Sequence, residues 1–394
     1  NPHLKKACPA TNASTNLTKT AKTASASGKG KWPCHGHVVN VILAESSRAA
    51  PRRAQFCMPD AKPHTHTTRA PLDLSARLVA VVVTFNRLSH IQLTLDRLLA
   101  SDAQTLAQVV VVDNASTDGT GDWLATLADP RIDVLRLPKN VGGAGGFEAG
   151  MRRAIDAHDA DWVVVMDDDA RPFKGALEQF MTTPPAADSV AAAVLYPDRG
   201  ICEMNRPSVN PFTTPSAFFK TLMGRGRDGY HIARAAYFDH TPIPIDLTSF
   251  VGFFAHKSCI KSVGYPDPSL FIYGDDVLYT LSVRRAGHSI AFDPRVTFEH
   301  DCKTFDDDTV RKFTPLWKAY FAYRNGLFMY RQASGPVLFW PILALCSLKW
   351  LLATARYSEC KKNYLRVWRA AIWDAIRQDT RRTFDDVKHL SGDA

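Results

Sequence analysis

Runs of aliphatic and β-branched residues, separated by stretches with helical spacing, constrain the fold of this chain more than any other feature of its sequence. They occupy residues 78–84, 109–112 and 162–166, and a fourth predicted strand covers 132–137. Continuous apolar runs are typical of strands that are buried on both faces of a parallel sheet. Helical spacing is found over 91–99, 122–127 and 147–158. The alternation predicts an α/β fold with a doubly wound, mostly parallel sheet and right-handed crossovers.

The pattern beyond residue 170 is less regular. It predicts irregular structure over 185–245, a strand over 248–255, helices over 257–263 and 277–286, and short strands over 290–292 and 296–298. From Thr314 onward it predicts helices that break at Pro336 and Pro341, because proline removes a helical hydrogen bond. We therefore expect one sheet domain over residues 77–305 and a C-terminal helical region over 306–394.

Polar side chains follow each of the first four predicted strands. They are Thr84, Asn86, Asp113, Asn114, Asn140, Asp167, Asp168 and Asp169. In open α/β sheets, ligands bind at the carboxyl ends of the strands. The coincidence of polar residues with strand ends predicts a binding site at this edge of the sheet.

Two groups of carboxylates are candidates for chemistry. Asp167 and Asp169 follow a buried strand, and two hard oxygen ligands one residue apart can hold Mg²⁺ or Mn²⁺ while leaving positions for phosphate oxygens. Asp275 and Asp276 follow Gly274 at the start of a predicted helix. For both groups the alternative is a structural role, as helix caps or in a solvated loop. His300 follows the last predicted strand, and a lone histidine is more often structural.

A glycine-rich loop is predicted over residues 140–146, between a strand and a helix. Glycines allow close backbone approach, and the helix N-terminus that follows favours an anion. The dinucleotide spacing G-x-G-x-x-G fails, because Glu148 stands where the last glycine belongs when counted from Gly143. A dinucleotide-dependent oxidoreductase is therefore the weaker alternative, and the absence of G-x-x-x-x-G-K-[ST] excludes a P-loop enzyme.

The net charge of +9 belongs to the first 70 residues. They hold 11 Lys and Arg and two acids, whereas the remaining residues hold 37 of each sign. The globular part thus has no net basic field, which argues against a nucleic-acid partner. Residues 1–70 lack apolar periodicity and are predicted to be a disordered basic arm.

Met58 precedes the stretch that leads into the first strand. We interpret residues 1–57 as upstream sequence translated from a start set too early, with Met58 as the true start; the alternative is a genuine basic arm. The eight cysteines form no C-x-x-C pair, which is typical of a protein in a reducing compartment without a zinc knuckle.

Five motifs in order resemble the family 2 inverting glycosyltransferases with the GT-A fold. They are Thr84-Phe85-Asn86-Arg87 and residues 112–119, 140–147, 166–169 and 271–276. The resemblance covers about residues 77–302. The N-x-G-G-A-G-G-F form of the third motif resembles the galactofuranosyl- and rhamnosyltransferase-like branch.

The resemblance implies a role for each matching position. For the donor, Thr84, Asn86 and Asp113 would hold the nucleotide base and ribose, and Asn140, Gly142 and Gly143 would line the nucleotide-sugar pocket, with Asp168 near the ribose or sugar. For the metal, Asp167, Asp169 and His300 would bind Mn²⁺ or Mg²⁺ on the diphosphate. For the acceptor, Asp276 would be the general base and Asp275 its neighbour, although either could be the base. Leu278 departs from the family, which often has an acid there.

The C-terminal region contains a mostly apolar stretch, 337–354, followed by a basic amphipathic helix over 355–382. Such a helix either lies in a membrane interface or packs its apolar stripe on the catalytic domain or on another subunit. The first alternative suits an enzyme in the cytoplasm that associates with the inner face of the plasma membrane.

The sequence and the resemblance together predict a metal-dependent inverting glycosyltransferase. It would move a sugar from a nucleotide-diphosphate donor to a saccharide or lipid-linked acceptor in cell-surface polysaccharide or glycolipid synthesis. The alternatives are a nucleotide- or dinucleotide-dependent oxidoreductase and a nucleotide-sugar-binding module without catalysis.

Overall fold

The computed structural model describes residues 76–183, 185, 187–302 and 312–393. The arm predicted over residues 1–70, with Met58, lies outside this part of the chain. The described residues contain nine strands: β1 (Leu78–Thr84), β2 (Gln108–Asp113), β3 (Ile132–Arg136), β4 (Trp162–Asp167), β5 (Ala170–Pro172), β6 (Ser189–Leu195), β7 (Ile243–Ile245), β8 (Phe253–His256) and β9 (Ile290–His300). They form one sheet in the order β3-β2-β1-β4-β8-β6-β9-β5, with β7 also paired to β9.

The first four strands form the parallel half of the sheet. β1 lies between β2 and β4, and β3 pairs with β2, all in parallel. All seven residues of β1 are buried, which explains its continuous apolar run. The other half is mixed, because β8 runs antiparallel to β4 and β6 while β9 runs parallel to β6. The prediction of a doubly wound sheet with a parallel core is confirmed.

Helices cover both faces of the sheet. They are α1 (Leu88–Leu99), α2 (Thr120–Leu124), α3 (Gly142–Asp156), α4 (Ala176–Thr182), α5 (Pro215–Lys220), α6 (Lys257–Val263), α7 (Asp275–Arg285), α8 (Trp317–Leu352), α9 (Lys361–Arg377) and α10 (Phe384–Ser391). Val79, Val81 and Val83 of β1 face a core that includes α3, α6 and α7. The alternate residues of β1 face a second core that includes α1 and α4. The result is a three-layer sandwich.

Two predictions between residues 185 and 300 were wrong. The stretch 185–245, predicted as irregular, contains β6 and β7. The two short strands predicted over 290–292 and 296–298 are one strand, β9, in which the register shifts opposite Ala192 and Ala193. A bulge of this kind carries the strand past Pro294, which cannot donate to a sheet ladder.

The glycines predicted as a loop before a helix are themselves helical. α3 begins at Gly142, so that Gly142, Gly143, Gly145 and Gly146 form its first turns. Small residues at these positions allow the helix to lie close to β1: a Cβ atom added at Gly146 would lie 2.5 Å from Val83 Cγ1. The prediction of a loop was therefore wrong at its C-terminal side.

The C-terminal helices pack against the sheet domain. α8, α9 and α10 share a core with Phe271 and Phe212, residues that precede α7 and α5. α8 kinks at Gly335, whose φ of 74° is not helical, but continues through Pro341. The predicted break near Pro336 is thus confirmed as a kink, and the predicted break at Pro341 was wrong. The apolar stripe of α9, including Tyr364, is packed within the protein rather than exposed.

One face of α8 beyond the kink is apolar and exposed. Its exposed large side chains are Val337, Trp340, Leu345, Leu348, Leu351 and Leu352. The helical run Trp317–Arg377 also has the length and composition of a membrane span, with a mean hydropathy of 1.8 over its apolar window. A soluble core helix can pass that test, so the exposure of this face is the more informative observation.

Candidate active site

Strand pairing brings Asp167, Asp169 and His300 together. Asp167 ends β4, and the turn that follows leads into β5. β5 pairs with the end of β9 so that Ala170 lies opposite His300. His300 Nε2 is therefore 3.2 Å from Asp169 Oδ1, and one ligand atom from each of the three residues lies within 4.8 Å of the others. Two carboxylates and an imidazole at this separation can hold a divalent cation.

The electrostatics of this cluster fit a cation. Burial raises the pKa of Asp167 to about 7, and the neighbouring charge of Asp169 adds to the increase. Burial alone would lower the pKa of His300, but its hydrogen bond to Asp169 raises it well above the usual histidine value. Asp169 thus holds a proton on His300 through an ion pair, and a divalent cation could replace that proton.

Arg87 also contacts the acidic cluster. Its guanidinium forms an ion pair with Asp169 and lies 3.4 Å from Asp168 Oδ1, although about half of the side chain is exposed. Arg87 belongs to the first motif, where no role was predicted for it. A cation that can turn toward solvent at this edge is suited to bind phosphate oxygens.

Asp168 is held in place rather than presented to a ligand. Thr84 Oγ1 donates to Asp168 Oδ2 at 2.7 Å, and Thr94 Oγ1 donates to the backbone oxygen of Asp168 at 2.7 Å. Burial raises the pKa of Asp168 to about 6, which the positive charge of Arg87 opposes. The hydroxyl of Thr84, for which a nucleotide contact was predicted, is thus engaged in fixing the acidic turn.

Asp113 ends β2 with a buried carboxylate that has an open acceptor. Its Oδ1 accepts a hydrogen bond from the backbone of Ser116 at 2.8 Å. Its Oδ2 has no hydrogen-bond partner in the described part of the chain, and the nearest cation, Arg136 Nε, is 3.5 Å away. A buried acceptor without a donor is uncommon, and a bound N–H or O–H group would satisfy it.

The asparagines at this edge organise the backbone. Asn86 Oδ1 accepts from the backbone of Thr117 at 2.7 Å, which fixes the loop after β2. Asn140 Oδ1 accepts from the backbone of Gly142 at 2.8 Å and from the side chain of Asn114 at 3.1 Å. The side-chain oxygens of Asn86 and Asn140 are therefore occupied by hydrogen bonds within the protein.

The first two glycines of α3 have different surroundings. Gly142 has a φ of 76°, and a Cβ atom there would lie 2.0 Å from the backbone oxygen of Phe271. Only glycine allows this approach. A Cβ atom at Gly143 would have no atom within 4 Å, so this position leaves open space beside the site.

The segment before α7 has an unusual backbone. Phe271 and Tyr273 have φ values of 64° and 70°, and Gly274 follows at 78°. A residue other than glycine in this region costs about 1–3 kcal/mol, and such strain clusters at functional sites. The segment ends at Asp275 and Asp276, the first two residues of α7.

The two aspartates of α7 differ in their surroundings. Asp276 Oδ1 accepts from the backbone of Val277 at 2.7 Å, and Asp276 lines a cavity together with Asn205 and Met329. Burial raises its pKa to about 6. Burial also raises the pKa of Asp275, to which the charges of Asp276 and Asp167 add. The charge of Asp167 thus acts on Asp275, and Asn205, which contacts His300, lines the same cavity as Asp276.

Asn205 is a site residue that the sequence analysis missed. Its Oδ1 lies 2.7 Å from His300 Nδ1, so it fixes the ring whose other nitrogen faces Asp169. Partners of this kind orient histidine ligands of metals. Asn205 lies in the stretch predicted as irregular, where nothing in the local sequence indicates this contact.

Comparison with known proteins identifies the fold and the class. Residues 79–236 match the family model described as glycosyl transferase family 2. Galactofuranosyltransferase GlfT1 of Mycolicibacterium smegmatis is 26% identical over 268 residues, which are 63% of this chain and 83% of that protein. Undecaprenyl-phosphate mannosyltransferase of Micrococcus luteus is 35% identical over 123 residues, 31% of this chain and 49% of that protein. The chain thus aligns with about half of the mannosyltransferase.

Among solved structures, the chain is similar to a mannosyltransferase from Pyrobaculum calidifontis in complex with GDP-Man and Mn²⁺. It is 18% identical, with a TM-score of 0.43 over 81% of this chain and 91% of that one. The family match replaces the alternative of an oxidoreductase. Residues 79–236 match family 2 glycosyltransferases, the sheet fits the GT-A fold, and the protein is a glycosyltransferase that resembles the galactofuranosyltransferase branch.

Proposed function

We propose that this protein is a metal-dependent inverting glycosyltransferase in cell-surface polysaccharide or glycolipid synthesis. It moves a sugar from a nucleoside-diphosphate donor to a saccharide or lipid-linked acceptor. The observation that carries the proposal is the meeting of Asp167, Asp169 and His300 at the end of β4, with the charge of Asp167 acting on Asp275 at the start of α7. The names of the relatives, two of which are a galactofuranosyltransferase and a mannosyltransferase, support the same chemistry.

In this proposal Asp167, Asp169 and His300 hold Mn²⁺ or Mg²⁺. The cation supplies charge neutralisation for the diphosphate that leaves the sugar. Arg87 turns from Asp169 toward the phosphate oxygens, since its exposed half gives it that freedom. Asp113 Oδ2 accepts a hydrogen bond from the nucleotide base or ribose, which satisfies its buried open acceptor. Gly143, beside open space, lines the same pocket.

Asp276 acts as the general base. Its raised pKa of about 6 makes it a stronger proton acceptor than an exposed carboxylate, while leaving it ionised at neutral pH. The acceptor oxygen forms a bond to the anomeric carbon as the bond to the diphosphate oxygen breaks, and the acceptor proton passes to Asp276. This single displacement inverts the anomeric centre. Asp275, whose pKa is raised by burial and by the charges of Asp276 and Asp167, orients the acceptor.

The membrane is the proposed location of the acceptor. The exposed apolar face of α8 carries Trp340 and Leu348, and the exposed lysines Lys361 and Lys362 begin α9. Apolar side chains flanked by basic ones suit the surface of an anionic bilayer, here the cytoplasmic leaflet of the plasma membrane. In this proposal residues 77–305 form the catalytic domain and 306–394 the region that meets the lipid.

A thermal-shift panel of nucleotide sugars tests the proposal. UDP-galactofuranose and other UDP-, GDP- and dTDP-sugars are added with Mn²⁺ and, in parallel, with excess EDTA. A donor present at 100 times its Kd stabilises the protein by about 2.7 kcal/mol, which is easily measured. We expect stabilisation in Mn²⁺ that EDTA abolishes, and sugar transfer that stops in EDTA. Turnover that persists in excess EDTA would contradict the metal role, and no stabilisation by any donor would contradict the donor class.

A further inference from the structure

We propose that Arg324 and Asn325 of α8 are positioning residues for the aspartate pair that begins α7. They hold the backbone of residues 269–273 in its strained conformation and so fix where Asp275 and Asp276 stand. This inference rests on the proposed function only for the role of the aspartates. It makes the C-terminal helical region part of the catalytic apparatus.

Asn325 binds three backbone carbonyls of the strained segment. Its Nδ2 lies 2.9 Å from the oxygens of Leu270, Ile272 and Tyr273. One amide nitrogen has two hydrogens, so the three acceptors share them. The side chain of Asn325 is fully buried. Because these carbonyls lie next to the residues with positive φ, the amide selects the conformation that the segment would otherwise avoid.

Arg324 forms a hydrogen bond to the first residue of the same segment. Its Nη2 donates to the backbone oxygen of Ser269 at 2.9 Å, and its Nε donates to Asn325 Oδ1 at 2.9 Å. The second contact fixes the orientation of the Asn325 amide so that its nitrogen faces the carbonyls.

The surroundings of Arg324 argue against a role in simple core packing. The side chain is fully buried, and no described carboxylate forms an ion pair with it. Its guanidinium carbon lies 5.2 Å from the ring centres of Tyr320 and Phe321. A buried charge is costly, and a leucine would fill such a position without that cost. The backbone oxygens of the segment are what the guanidinium binds in return.

The segment 269–273 also contacts α3, the helix whose first turn is proposed to line the nucleotide-sugar pocket. The Phe271 oxygen accepts a hydrogen bond from the backbone of Ala144 in α3 at 3.2 Å, and its ring stacks on Phe321 of α8 and Phe384 of α10. The segment therefore lies between the first turn of α3 and the C-terminal helices. Loss of the hydrogen bonds from Arg324 and Asn325 would let the segment relax while the first turn of α3 stays in place.

Gln332 provides a matched control on the same helix. Its Nε2 donates to Ser282 Oγ of α7 at 2.9 Å, so it also joins α8 to α7 through a side-chain amide. Gln332 Nε2 also donates to the backbone oxygen of Leu278 at 3.3 Å, but its hydrogen bonds are not to residues 269–273, Asp275 or Asp276. Asn325→Leu and Gln332→Met each remove one side-chain amide from α8, the first bound to the segment before α7 and the second to α7 itself.

Hydrogen–deuterium exchange of the peptide covering 268–276, measured without a nucleotide sugar, tests whether these hydrogen bonds hold the segment. We expect exchange at least tenfold faster in Asn325→Leu than in the wild type, and unchanged exchange in Gln332→Met. Equal exchange in the two variants would contradict the claim that Asn325 holds the segment. If Asn325→Leu does not yield folded protein, Asn325→Ala, which only removes atoms, replaces it with the same expectations.

Kinetics test the positioning role. UDP affinity is measured by calorimetry in Mn²⁺. The kcat is measured with UDP-galactofuranose or with the nucleotide sugar that most stabilises the wild type. Asn325→Leu should lower kcat at least tenfold while the Kd of UDP stays within threefold, and Gln332→Met should change neither beyond threefold. A kcat within threefold of the wild type despite faster exchange would overturn the positioning role. A wild type that transfers no sugar, with the exchange result intact, would instead contradict the proposed function.

Discussion

The carboxyl group of Asp276 is partly buried at the start of α7, and desolvation raises its pKa to about 6. Base catalysis contributes about 10²- to 10⁴-fold to a rate, so Asp276→Asn should lower kcat by about that factor with donor affinity little changed. Asp275→Asn is the companion variant, measured for kcat, Tm and UDP affinity. An Asp276→Asn enzyme within threefold of wild-type kcat, beside an inactive Asp275→Asn enzyme, would assign the base to Asp275.

The same pKa predicts the direction of the pH dependence. Asp276 accepts a proton only when ionised, so below pH 6 turnover should fall about tenfold per pH unit, and above pH 7 it should level off. The low-pH side of the rate profile reports the two aspartates together, because the charges of Asp275 and Asp276 interact. A kcat profile that is flat between pH 5 and pH 8 would contradict a base in this environment.

Asp113 Oδ2 is a buried acceptor without a described donor. Asp113→Asn keeps the size but replaces the charged acceptor, so we expect UDP affinity to fall about tenfold or more, as for one lost charged hydrogen bond. Asp133→Asn is the control, because Asp133 is bound to Arg153 and His158 at the edge strand β3. Calorimetry with UDP and Mn²⁺ compares them, and equal affinities would remove Asp113 from the donor site.

At the scale of secondary structure, the junction of α3 with the segment before α7 depends on Gly142. A Cβ atom there would lie 2.0 Å from the Phe271 oxygen at a φ of 76°. We expect Gly142→Ala to reduce the free energy of unfolding by about 2–3 kcal/mol, through overpacking and strain. Gly143→Ala, with open space at its Cβ position, should keep or raise the stability. Urea unfolding measures both, and equal midpoints would contradict the close contact.

The elements that could be predicted from sequence are those in which nearly every residue is buried. β1, β2 and β4 are buried on both faces, so their residues form continuous apolar runs and their bounds were predicted within about one residue. β6 was missed because three of the seven residues in Ser189–Leu195 are alanine, which is depleted in strands. α3 begins earlier than predicted, because Asn114 and Asn140 organise the turn before it through side-chain contacts.

The site shows the same division. The residues at strand ends were predicted from local pattern, but Asp169 and His300 are 131 residues apart and meet only because β5 pairs with β9. Only the family resemblance indicated His300. Asn205 and Asn325 act through contacts with residues more than fifty positions away, for which local spacing carries no signal.

At the scale of the whole molecule, the exposed apolar face of α8 predicts binding to lipid. Leu348→Glu should lower the fraction bound to phosphatidylglycerol-containing vesicles about tenfold, because one leucine side chain withdrawn from the lipid costs about 1.5–3 kcal/mol. Leu93→Glu on α1 is matched in exposure, at 53% against 54% for Leu348, and should bind as the wild type. Vesicle co-sedimentation measures both, and an equal decrease would show that added charge alone explains the effect.

The kink at Gly335 has a consequence for recombining this enzyme with its relatives. The part of α8 before the kink contains Arg324 and Asn325, and the part after it contains the exposed apolar face. A chimera joined near residue 305 would therefore exchange the support of the aspartates together with the lipid-facing surface. A chimera joined at Gly335 would exchange the surface alone, so that membrane preference could be transplanted while turnover stays with the parent.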